Sequence, residues 1–555
     1  MKTLLVAINA KYEHEGLAVW YLNAACKRED IPVTVRQYSI NDSAQRVWAS
    51  IMEEHPDVVA FSCYIWNREQ VLNLISDIKK AKPDCAIIVG GPEVSYEGSE
   101  VDYKAAGAEF IIKGEGEGKL PPLLRILEKE GIASARALLE TENLCQEETD
   151  YISPFVPEYL SRIRDRIAYI ESSRGCPYRC AYCLSSESRG LVLFPLEEIK
   201  KDIEKLVTAG AKVIKFVDRS FNVNEGHSLD IWNFIRRFPK EKVTFHFEIN
   251  PDRLSPAQME SLLSMPSGLV QIEAGIQSVN LKTLQEVSRI MNVEIAIQNL
   301  KTLVSQGNIH VHTDLIAGLP FEDLESFMQS FNRVYEVRAH NLQLGFLKLI
   351  HGTRIRREAQ KHGYKYRDYP PYEVIENQYL SADDLLILKG VEEILDRTYN
   401  SGRLILTLEY LLGYFSTPFL LYETIASFFK KEGLLYQPIS AARLIELMRK
   451  FAFGLKGMDS FTLDSFIALD YACSLKNTVL PEFLEDSQVK ALDGKTLLES
   501  TIEGGWKKEY RKRFLVISGS FPLKNEEDFQ RSENRMVVDM AIIDPVTGRA
   551  VPRPF

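Results

Sequence analysis

Short apolar runs alternate with amphipathic stretches over residues 1–135. The runs have the apolar content of buried strands, and the stretches between them have the 3.6-residue period of helices. Buried strands joined by helices are typical of a parallel sheet covered on both faces, so the predicted fold is a Rossmann-like α/β domain. The five predicted strands are TLLVAIN, VTVRQYS, DVVAFSCY, AIIVGG and EFIIKGEGE.

The loops that follow these strands form the candidate ligand site, because open parallel sheets bind ligands beyond the carboxyl ends of their strands. Glycines in two of the loops would allow a large ligand to approach the backbone closely. No G-x-G-x-x-G motif follows the first strand, which disfavours an ordinary dinucleotide site. The candidate residues are Tyr64, Ile65, Trp66, Gly90, Gly91, Glu93, Gly114, Glu115 and Gly116.

The same alternation returns over residues 165–352. Six strand and helix units are too few for a closed eightfold barrel, so they predict an open, partial (β/α)6 barrel whose site lies at the carboxyl ends of its strands. The six predicted strands lie in RIAYIESSRG, VIKFVD, VTFHFEINP, GLVQIEAGIQS, IHVHTDLIAGLP and LQLGFLKL.

Three cysteines, Cys176, Cys180 and Cys183, follow the first strand of this barrel. Their C-x3-C-x2-C spacing differs from the paired C-x2-C knuckles of zinc sites, and the sequence nearby offers no fourth Cys or His. Three thiolates suit an iron-sulfur cluster with one open iron. The spacing therefore favours a cluster over a zinc ion.

Composition narrows the range of partners. The 555 residues suffice for three or four domains. A net charge of −10 makes a nucleic-acid partner unexpected, and eight cysteines in a chain of this length suggest a reducing, cytoplasmic compartment. The most apolar region, residues 404–429, contains Glu409, Pro418 and Glu423, so it predicts two buried helices split near Pro418 and no membrane partner.

The remaining sequence predicts a linker and a third domain. Residues 136–164 are the predicted linker, and residues 353–555 are a predicted C-terminal, mostly helical domain that closes the active site. Two apolar runs near its end, RFLVISGSF and MVVDMAIID, predict strands. Arg354 and Arg356 either anchor an anionic substrate or belong to a solvated face.

The cysteine spacing resembles that of radical S-adenosylmethionine (SAM) enzymes, in which the amino and carboxylate groups of SAM occupy the open iron of a [4Fe-4S] cluster. The resemblance continues along the barrel through FEINP, GIQS and DLIAGLP, and is closest to the oxygen-independent coproporphyrinogen oxidases. It implies that Gln277, Arg289 and Asp314 hold the SAM carboxylate and ribose hydroxyls, and that Glu248 stands near the methionine amino group.

Two further SAM contacts follow from the same resemblance. Tyr182, between the second and third cysteines, stands where the backbone touches adenine. The loop after the second strand reads VDRSFN instead of the glycine-rich segment of many relatives. Asp218 and Ser220 are therefore the residues of that loop expected near the SAM amino group.

The first domain resembles the cobalamin-binding domain that precedes many radical SAM enzymes, chiefly in VGGPEVS and GEGE. This implies that Tyr64, Ile65 and Trp66 lie beneath the corrin and exclude water from the lower cobalt face; the alternative is plain packing against the next domain. The cobalt-ligand motif D-x-H-x-x-G of methionine synthase is not matched, because Tyr12 replaces the aspartate and glycine follows His14 too closely. This favours a loop or cap histidine over a cobalt ligand.

These resemblances imply an enzyme that binds cobalamin, SAM and a [4Fe-4S] cluster and cleaves SAM to a 5′-deoxyadenosyl radical. We expect a methyltransferase acting on an unactivated carbon or phosphorus centre. The alternatives are a cyclisation or rearrangement without methyl transfer, with cobalamin as an electron carrier, and a non-enzymatic cobalamin or redox sensor. The expected partners are an unidentified substrate and an electron donor such as flavodoxin or ferredoxin.

Overall fold

The computed structural model describes residues 1–140, 151–187, 190–493, 495, 512–521 and 535–554. The chain divides into two compact units. The first unit consists of Met1–Ile272, Leu284–Met291 and Phe346–Gln378, and the second of Glu273–Thr283, Asn292–Gly345 and Tyr379–Phe555.

The first unit begins with a five-stranded parallel sheet in the order β2-β1-β3-β4-β5. The predicted alternation is confirmed, although β5 ends before the GEGEG stretch, which is a loop. The strands are β1 (Thr3–Asn9), β2 (Val33–Ser39), β3 (Val58–Ser62), β4 (Ala86–Gly90) and β5 (Phe110–Ile112). The helices are α1 (Leu17–Arg28), α2 (Ala44–Glu53), α3 (Arg68–Ala81), α4 (Val101–Ala106) and α5 (Leu120–Glu140), which kinks at Gly131.

Burial of both faces places β1 and β3 in the interior of the sheet. Every residue of β1 and of β3 is buried, because helices cover the sheet on each side. Thr3 stands opposite Val33 of β2 and Val58 of β3, so the carboxyl ends of the three strands meet at one edge. The loops after β3, β4 and β5 follow at that edge.

The first unit continues with the beginning of a second parallel sheet, in the order β11-β10-β9-β6. The burial of its strands alternates, with apolar residues on one face and the mostly polar row Tyr169, Lys215 and His246 in register on the other. The elements are α6 (Pro157–Leu160), β6 (Ile167–Ile170), β7 (Ser173–Arg174), β8 (Val192–Leu193), α7 (Leu196–Ala209), β9 (Val213–Phe216), α8 (Glu225–Ile235), β10 (Thr244–Glu248), α9 (Pro256–Leu263) and β11 (Val270–Gln277).

The division between the units falls within β11, and in the second unit the sheet order is β13-β12-β11. The six predicted barrel strands are therefore all present. The next elements along the chain are α10 (Leu281–Glu286), α11 (Val293–Gln306), β12 (His310–Ala317), α12 (Leu324–Tyr335) and β13 (Asn341–Phe346). The chain then returns to the first unit for α13 (Arg354–Arg357) and the antiparallel pair β14 (Lys365–Tyr366) and β15 (Val374–Glu376).

The rest of the second unit is helical and ends in a four-stranded antiparallel sheet, β16-β17-β18-β19. The two predicted apolar strands are confirmed as β17 and β18, whereas β16 and β19 were not predicted. The elements are α14 (Ala382–Leu395), α15 (Ile405–Leu412), α16 (Pro418–Lys431), α17 (Ala441–Phe453), α18 (Ser460–Leu475), β16 (Lys490–Leu492), β17 (Phe514–Ser518), β18 (Arg535–Ile543) and β19 (Ala550–Pro554).

The apolar region near residues 404–429 forms two helices, as predicted. Pro418 is the first residue of α16, a position where its missing N–H costs nothing. None of the helices in the described ranges is both long enough and apolar enough to cross a membrane.

A carboxyl group is fully buried in the second unit, in the loop between β12 and α12. Glu322 has no exposed surface, and its Oε1 accepts hydrogen bonds of 2.7 Å from the hydroxyls of Ser278 and Ser330. Burial raises the pKa of Glu322 to about 7, the two hydroxyls oppose that shift, and the charge of Asp323 adds to it. Ser278 directly follows Gln277, so this carboxyl fixes the loop at the end of β11.

We predict that Glu322→Gln stabilises the protein in a pH-dependent way. The folded state raises the pKa of this carboxyl above its ordinary 4.5, so its contribution to stability is fully present below pH 4.5 and is lost as the pH rises to about 7. Glutamine does not ionise, so the variant should gain about 2 kcal/mol over the native chain between pH 5 and pH 8. Urea unfolding at both pH values tests this. The exposed Glu325→Gln in α12 is the control, and an equal gain in both variants would contradict the assignment.

Candidate active site

The three cysteines lie in one loop after β6. The short strands β7 and β8 pair across the base of this loop, with Ser173 opposite Leu193. Cys176 and Cys180 are buried and Cys183 is partly exposed. Burial raises the pKa of the Cys176 thiol, the Tyr178 amide and the Ser220 hydroxyl oppose that shift, and the neighbouring Cys183 and Cys180 add to it.

Backbone hydrogen bonds to two other segments of the chain hold the turn between the second and third cysteines. The Ala181 amide donates to the Val287 carbonyl at 2.8 Å, and the Ala181 carbonyl accepts from the Ile355 amide at 3.0 Å. Arg289 reaches into the same place: its Nη1 lies 3.9 Å from Cys180 Sγ and 3.4 Å from the Tyr182 hydroxyl. The structure therefore brings Arg289 and the Tyr182 hydroxyl together beside Cys180; their contact with SAM stays a prediction.

Asp218 lies beneath the cysteine loop. Its carboxylate is buried and accepts from the Ser172 amide at 3.0 Å, the Ser172 hydroxyl at 2.7 Å and the Ser173 hydroxyl at 2.5 Å. Burial raises its pKa, and these donors oppose the shift. Asp218 therefore fixes the start of the cysteine loop, a role that the sequence did not reveal; its contact with SAM stays a prediction.

Two other residues of the first unit are predicted to lie near the SAM amino group. Ser220 follows β9, and Glu248 is the last residue of β10. Ser220 Oγ is 4.0 Å from Cys176 Sγ, at the edge of hydrogen-bond distance for sulfur. Glu248 ends β10 half-buried, and its Oε2 is 4.0 Å from Nη1 of Arg219. Both side chains are thus held at the carboxyl ends of neighbouring strands.

Gln277 and Asp314 meet within the second unit. Gln277 adopts a left-handed φ of +73°, and its Oε1 is buried with no hydrogen-bond partner among the described residues. A Cβ on Gly275 would stand 2.0 Å from Gln277 Nε2 and 3.6 Å from Asp314 Oδ2, so a larger residue there would displace the Gln277 side chain. Asp314 Oδ1 lies 3.0 Å from His312 Nε2. An amide acceptor and a carboxylate side by side suit the hydroxyls of a ribose.

The loop after β3 presents two stacked aromatic rings. The rings of Tyr64 and Trp66 lie 4.4 Å apart and are nearly parallel, and Trp66 is 44% exposed. Trp66 Nε1 donates to the Ile8 carbonyl at 3.0 Å, and Asn67 Nδ2 donates to the same carbonyl at 3.1 Å. The Trp66 hydrogen bond and the stacking therefore fix the two rings at the ligand edge of the sheet. Ile65, which stands between them in the chain, is half-buried.

The glycine loops allow the backbones at this edge to approach each other. Gly91 has a φ of +107°, and a Cβ there would stand 2.6 Å from the Cys63 carbonyl oxygen. The Cys63 amide donates to the Gly90 carbonyl at 2.7 Å, so the loops after β3 and β4 are joined directly. The Gly114 amide donates to Ser95 Oγ at 3.1 Å, which adds the loop after β5.

Glu93 is a buried carboxylate in the loop after β4. It is 3% exposed, accepts a short hydrogen bond from the Tyr372 hydroxyl and lies 3.5 Å from Arg68 Nε. Burial raises its pKa, and Tyr372 and Arg68 oppose that shift. Glu93 thus ties the glycine loop to the segment that contains Tyr372. Its contact with cobalamin stays a prediction.

Arg174 links the cysteine loop to the loop after β5. Its guanidinium donates to Glu171 at 2.7 and 3.1 Å and to Glu117 at 2.9 Å, and lies 3.4 Å from Glu115. Glu115 is 68% exposed, whereas Glu171 and Glu117 are mostly buried. The rings of Tyr21 and Phe194 lie 5.2 and 5.5 Å from the guanidinium carbon. A cation in this setting joins the two loops with charged hydrogen bonds.

His14 lies against the barrel strand β6. It forms a parallel bridge with Ile167, and its ring meets Tyr169 edge-on at 5.5 Å. Burial lowers its pKa, and it stays neutral near pH 7. The bridge to Ile167 and the packing against Tyr169 are contacts by which this loop histidine holds its loop against β6.

Sequence reasoning missed the partners that hold the site together. Arg174, Glu117, Glu171 and Tyr372 were not singled out. A signal existed for Arg174, which stands two positions before the first cysteine in SSRGCP. No local signal pointed to Tyr372, because its partner Glu93 is 279 residues away in the chain.

Comparisons with known proteins agree with this arrangement. A family model described as B12 binding domain matches residues 3–124, and one described as Radical SAM superfamily matches residues 170–334. A third, described as Protein of unknown function (DUF4080), matches residues 360–510. The first two cover the glycine loops and the cysteine loop.

Relatives match the chain over about half of its length. A 2-(S-pantetheinyl)-carbapenam-3-carboxylate methyltransferase of Streptantibioticus cattleyicolor is 24% identical over 59% of this chain and 52% of its own. A hopanoid C-3 methylase of Methylococcus capsulatus is 27% identical over 49% of this chain and 55% of its own. The chain thus spans about half the length of these curated relatives.

A solved structure shows the same fold. The radical SAM methyltransferase TsrM of Kitasatospora setae, with cobalamin and a [4Fe-4S] cluster bound, is similar with a TM-score of 0.54 and 15% identity, over 69% of this chain and 82% of its own. The predicted cobalamin-binding domain and partial barrel are thereby confirmed as folds. With both domain models matched, the chain contains a B12-binding domain and a radical SAM domain, and its cofactors are cobalamin, SAM and a [4Fe-4S] cluster.

Proposed function

We propose that this protein is a cobalamin-dependent radical SAM methyltransferase that acts on an unactivated carbon or phosphorus centre. The observation that carries the proposal is the Arg174 linkage, which joins the loop of the cluster cysteines to the glycine loop of the B12-binding domain within one compact unit. Radical formation and methyl delivery at one substrate atom require the two cofactor sites to lie close together and to stay in register.

Different residues of the chain bind each cofactor. When bound, the cluster and SAM supply the 5′-deoxyadenosyl radical, and cobalamin supplies the methyl group. Cys176, Cys180 and Cys183 hold the cluster, and Arg289 beside them is a bidentate donor for the SAM carboxylate. The Tyr64 and Trp66 rings exclude water from the lower corrin face. Burial raises the pKa of Tyr64 to about 12, so its hydroxyl stays neutral.

The names of the relatives support methyl transfer. The two curated relatives are a methyltransferase and a methylase, and they match the part of the chain that contains both cofactor domains. Cyclisation or rearrangement without methyl transfer is the alternative, and it differs in its SAM products. Methylation yields both S-adenosylhomocysteine and 5′-deoxyadenosine, whereas the alternative yields only 5′-deoxyadenosine.

We predict that the reconstituted protein forms both SAM products. The protein is purified without oxygen, its cluster is rebuilt, and hydroxocobalamin, SAM and a strong reductant are supplied. Equimolar bound cobalamin, 5′-deoxyadenosine and S-adenosylhomocysteine are the expected results. Cys183→Ala should lose the cluster and 5′-deoxyadenosine, whereas Cys26→Ala, which changes a buried thiol in α1, should keep both. Formation of 5′-deoxyadenosine alone, in the presence of a methyl acceptor, would favour the alternative.

We predict that Arg174→Gln lowers the free energy of unfolding by about 3 to 5 kcal/mol, because it leaves the buried Glu171 without its charged partner. The loss should be smaller at pH 5 than at pH 8. Burial already raises the pKa of Glu171, and removal of Arg174 raises it further, so protonation relieves the unpaired charge at low pH.

The control for Arg174 is a second arginine bound to a buried glutamate. Arg162 lies 3.3 Å from Glu15, but Arg166 also binds Glu15 at 2.6 Å. Arg162→Gln should therefore cost only about 1 kcal/mol. Equal losses in the two variants, measured by urea unfolding, would show that Arg174 is not the principal partner of Glu171.

We predict that Trp66→Ala weakens cobalamin binding by roughly 3- to 10-fold, which corresponds to the loss of one aromatic contact. Its cob(II)alamin electron paramagnetic resonance spectrum should also change, because water would reach the lower face. Trp66→Phe keeps an aromatic ring and should retain most of the affinity. An unchanged spectrum in the alanine variant would place Trp66 away from the cobalt.

A further inference from the structure

Two residues near the carboxyl ends of β11 and β12 have a left-handed backbone conformation. Gln277, the last residue of β11, has a φ of +73°, and Phe321, in the loop after β12, has a φ of +62°. A residue other than glycine is strained in this region, and it stays there only where the surrounding structure holds it. Such residues cluster at functional sites, so the contacts that hold this pair bear on function.

One buried hydrogen bond joins the residues that follow the strained pair. Ser278 comes directly after Gln277 in the chain, and Glu322 comes directly after Phe321. The Ser278 hydroxyl donates to Glu322 Oε1 at 2.7 Å, and neither of these two residues has any exposed surface. Because water does not reach this hydrogen bond, it is costly to break, and it fixes both strained residues together.

Further hydrogen bonds join the same part of the second unit. Ser330 in α12 donates its hydroxyl to Glu322 Oε1 at 2.7 Å and accepts from the Val279 amide at 3.1 Å. Asn280 Nδ2 donates to the Phe321 carbonyl at 3.0 Å. Glu322 therefore accepts one hydroxyl from the loop after β11 and one from α12, which places its carboxyl group at the centre of the network.

The side chain of Gln277 has an unused acceptor. Its Oε1 is buried and has no hydrogen-bond partner among the residues that the structure describes. Its Nε2 and Asp314 Oδ2 both approach Gly275, where a Cβ would stand 2.0 and 3.6 Å from them. A buried oxygen without a donor is costly unless a bound ligand supplies the donor. The direction in which this amide extends depends on the left-handed backbone of Gln277.

We propose that Glu322 is a positioning residue for SAM: through Ser278 it holds Gln277 in the left-handed conformation that presents its amide to SAM. The proposal rests on the proposed function and on the predicted contact between Gln277 and SAM. Glu322 has no exposed surface and acts only through its neighbours. A carbonyl oxygen has two lone pairs and accepts both hydroxyls, so glutamine should serve in place of Glu322.

The affinity for SAM tests the positioning role. It is measured by equilibrium dialysis of the full chain with its cluster reconstituted and without a reductant, so that SAM is not cleaved. Glu322→Leu removes the acceptor and should weaken SAM binding about 10-fold, and Ser278→Ala should weaken it roughly 3- to 10-fold. Glu322→Gln keeps the acceptor and should stay within about twofold of the native chain. Ser278→Ala, the smaller change, serves as the test if Glu322→Leu does not fold.

A double-mutant cycle shows whether Glu322 acts through Gln277. Gln277→Gly removes the amide while keeping the left-handed backbone, and should itself weaken SAM binding about 10-fold. Adding Glu322→Leu to Gln277→Gly should then weaken binding by less than about twofold more, because the amide that Glu322 positions is already absent. Losses that multiply to about 100-fold would show that Glu322 affects SAM by another route, and would overturn the proposal.

The matched control is a buried hydroxyl in another part of the second unit. Thr407 in α15 has no exposed surface, and its Oγ1 donates to Asp470 Oδ2 at 2.8 Å. Thr407→Ala thus removes a buried hydrogen bond between a hydroxyl and a carboxyl group, as Ser278→Ala does. It should leave the affinity for SAM within about twofold of the native chain. Equal weakening by the two alanine variants would assign the effect to general destabilisation and overturn the proposal.

The outcomes separate this proposal from the proposed function. A native chain that loads the cluster and does not bind SAM would overturn the radical SAM assignment, and the positioning role with it. SAM binding by the native chain, with equal affinity in Ser278→Ala and Glu322→Leu, would overturn the positioning role alone. Loss of affinity in these two variants, with native affinity in Glu322→Gln and Thr407→Ala, supports it.

Discussion

The guanidinium of Arg174 lies between the carboxylates of Glu171 and Glu117, with two aromatic rings near it and the first cluster cysteine two residues ahead. Removing an arginine and a glutamate from water costs several kcal/mol for each ion, and only close, well-directed hydrogen bonds offset that cost. The loops that carry these charges are therefore held in the one arrangement that keeps the bonds intact. This constraint sets the cysteine loop against the glycine loop of the B12-binding domain.

The rest of the site extends the same principle with smaller contacts. Asp218 gathers three donors from Ser172 and Ser173 below the cysteines, and Glu93 binds Tyr372 behind the glycine loop. Both carboxylates are buried, and neither is left without donors. Asp218 and Glu93 were predicted from the sequence as cofactor contacts. In the structure, their hydrogen bonds hold in place the loops expected to contact the cofactors.

The physical demands on the two cofactor regions differ. The loop after β3 offers a flat pair of rings, Tyr64 and Trp66, which favours a large planar ligand and a dry surface. The cysteine loop offers thiols, with the guanidinium of Arg289 3.9 Å from Cys180 Sγ.

Sequence alone determined the elements that depend on local pattern. The period of apolar residues predicted both sheets, because burial of a strand or helix face is encoded within a few residues. The spacing of the three cysteines predicted a cluster site, and a resemblance spread over the barrel predicted Gln277, Arg289 and Asp314 as SAM contacts. Tertiary structure alone decided the roles of Arg174, Asp218 and Glu93, since their partners lie 57, 46 and 279 residues away and local patterns carry no information on such pairs.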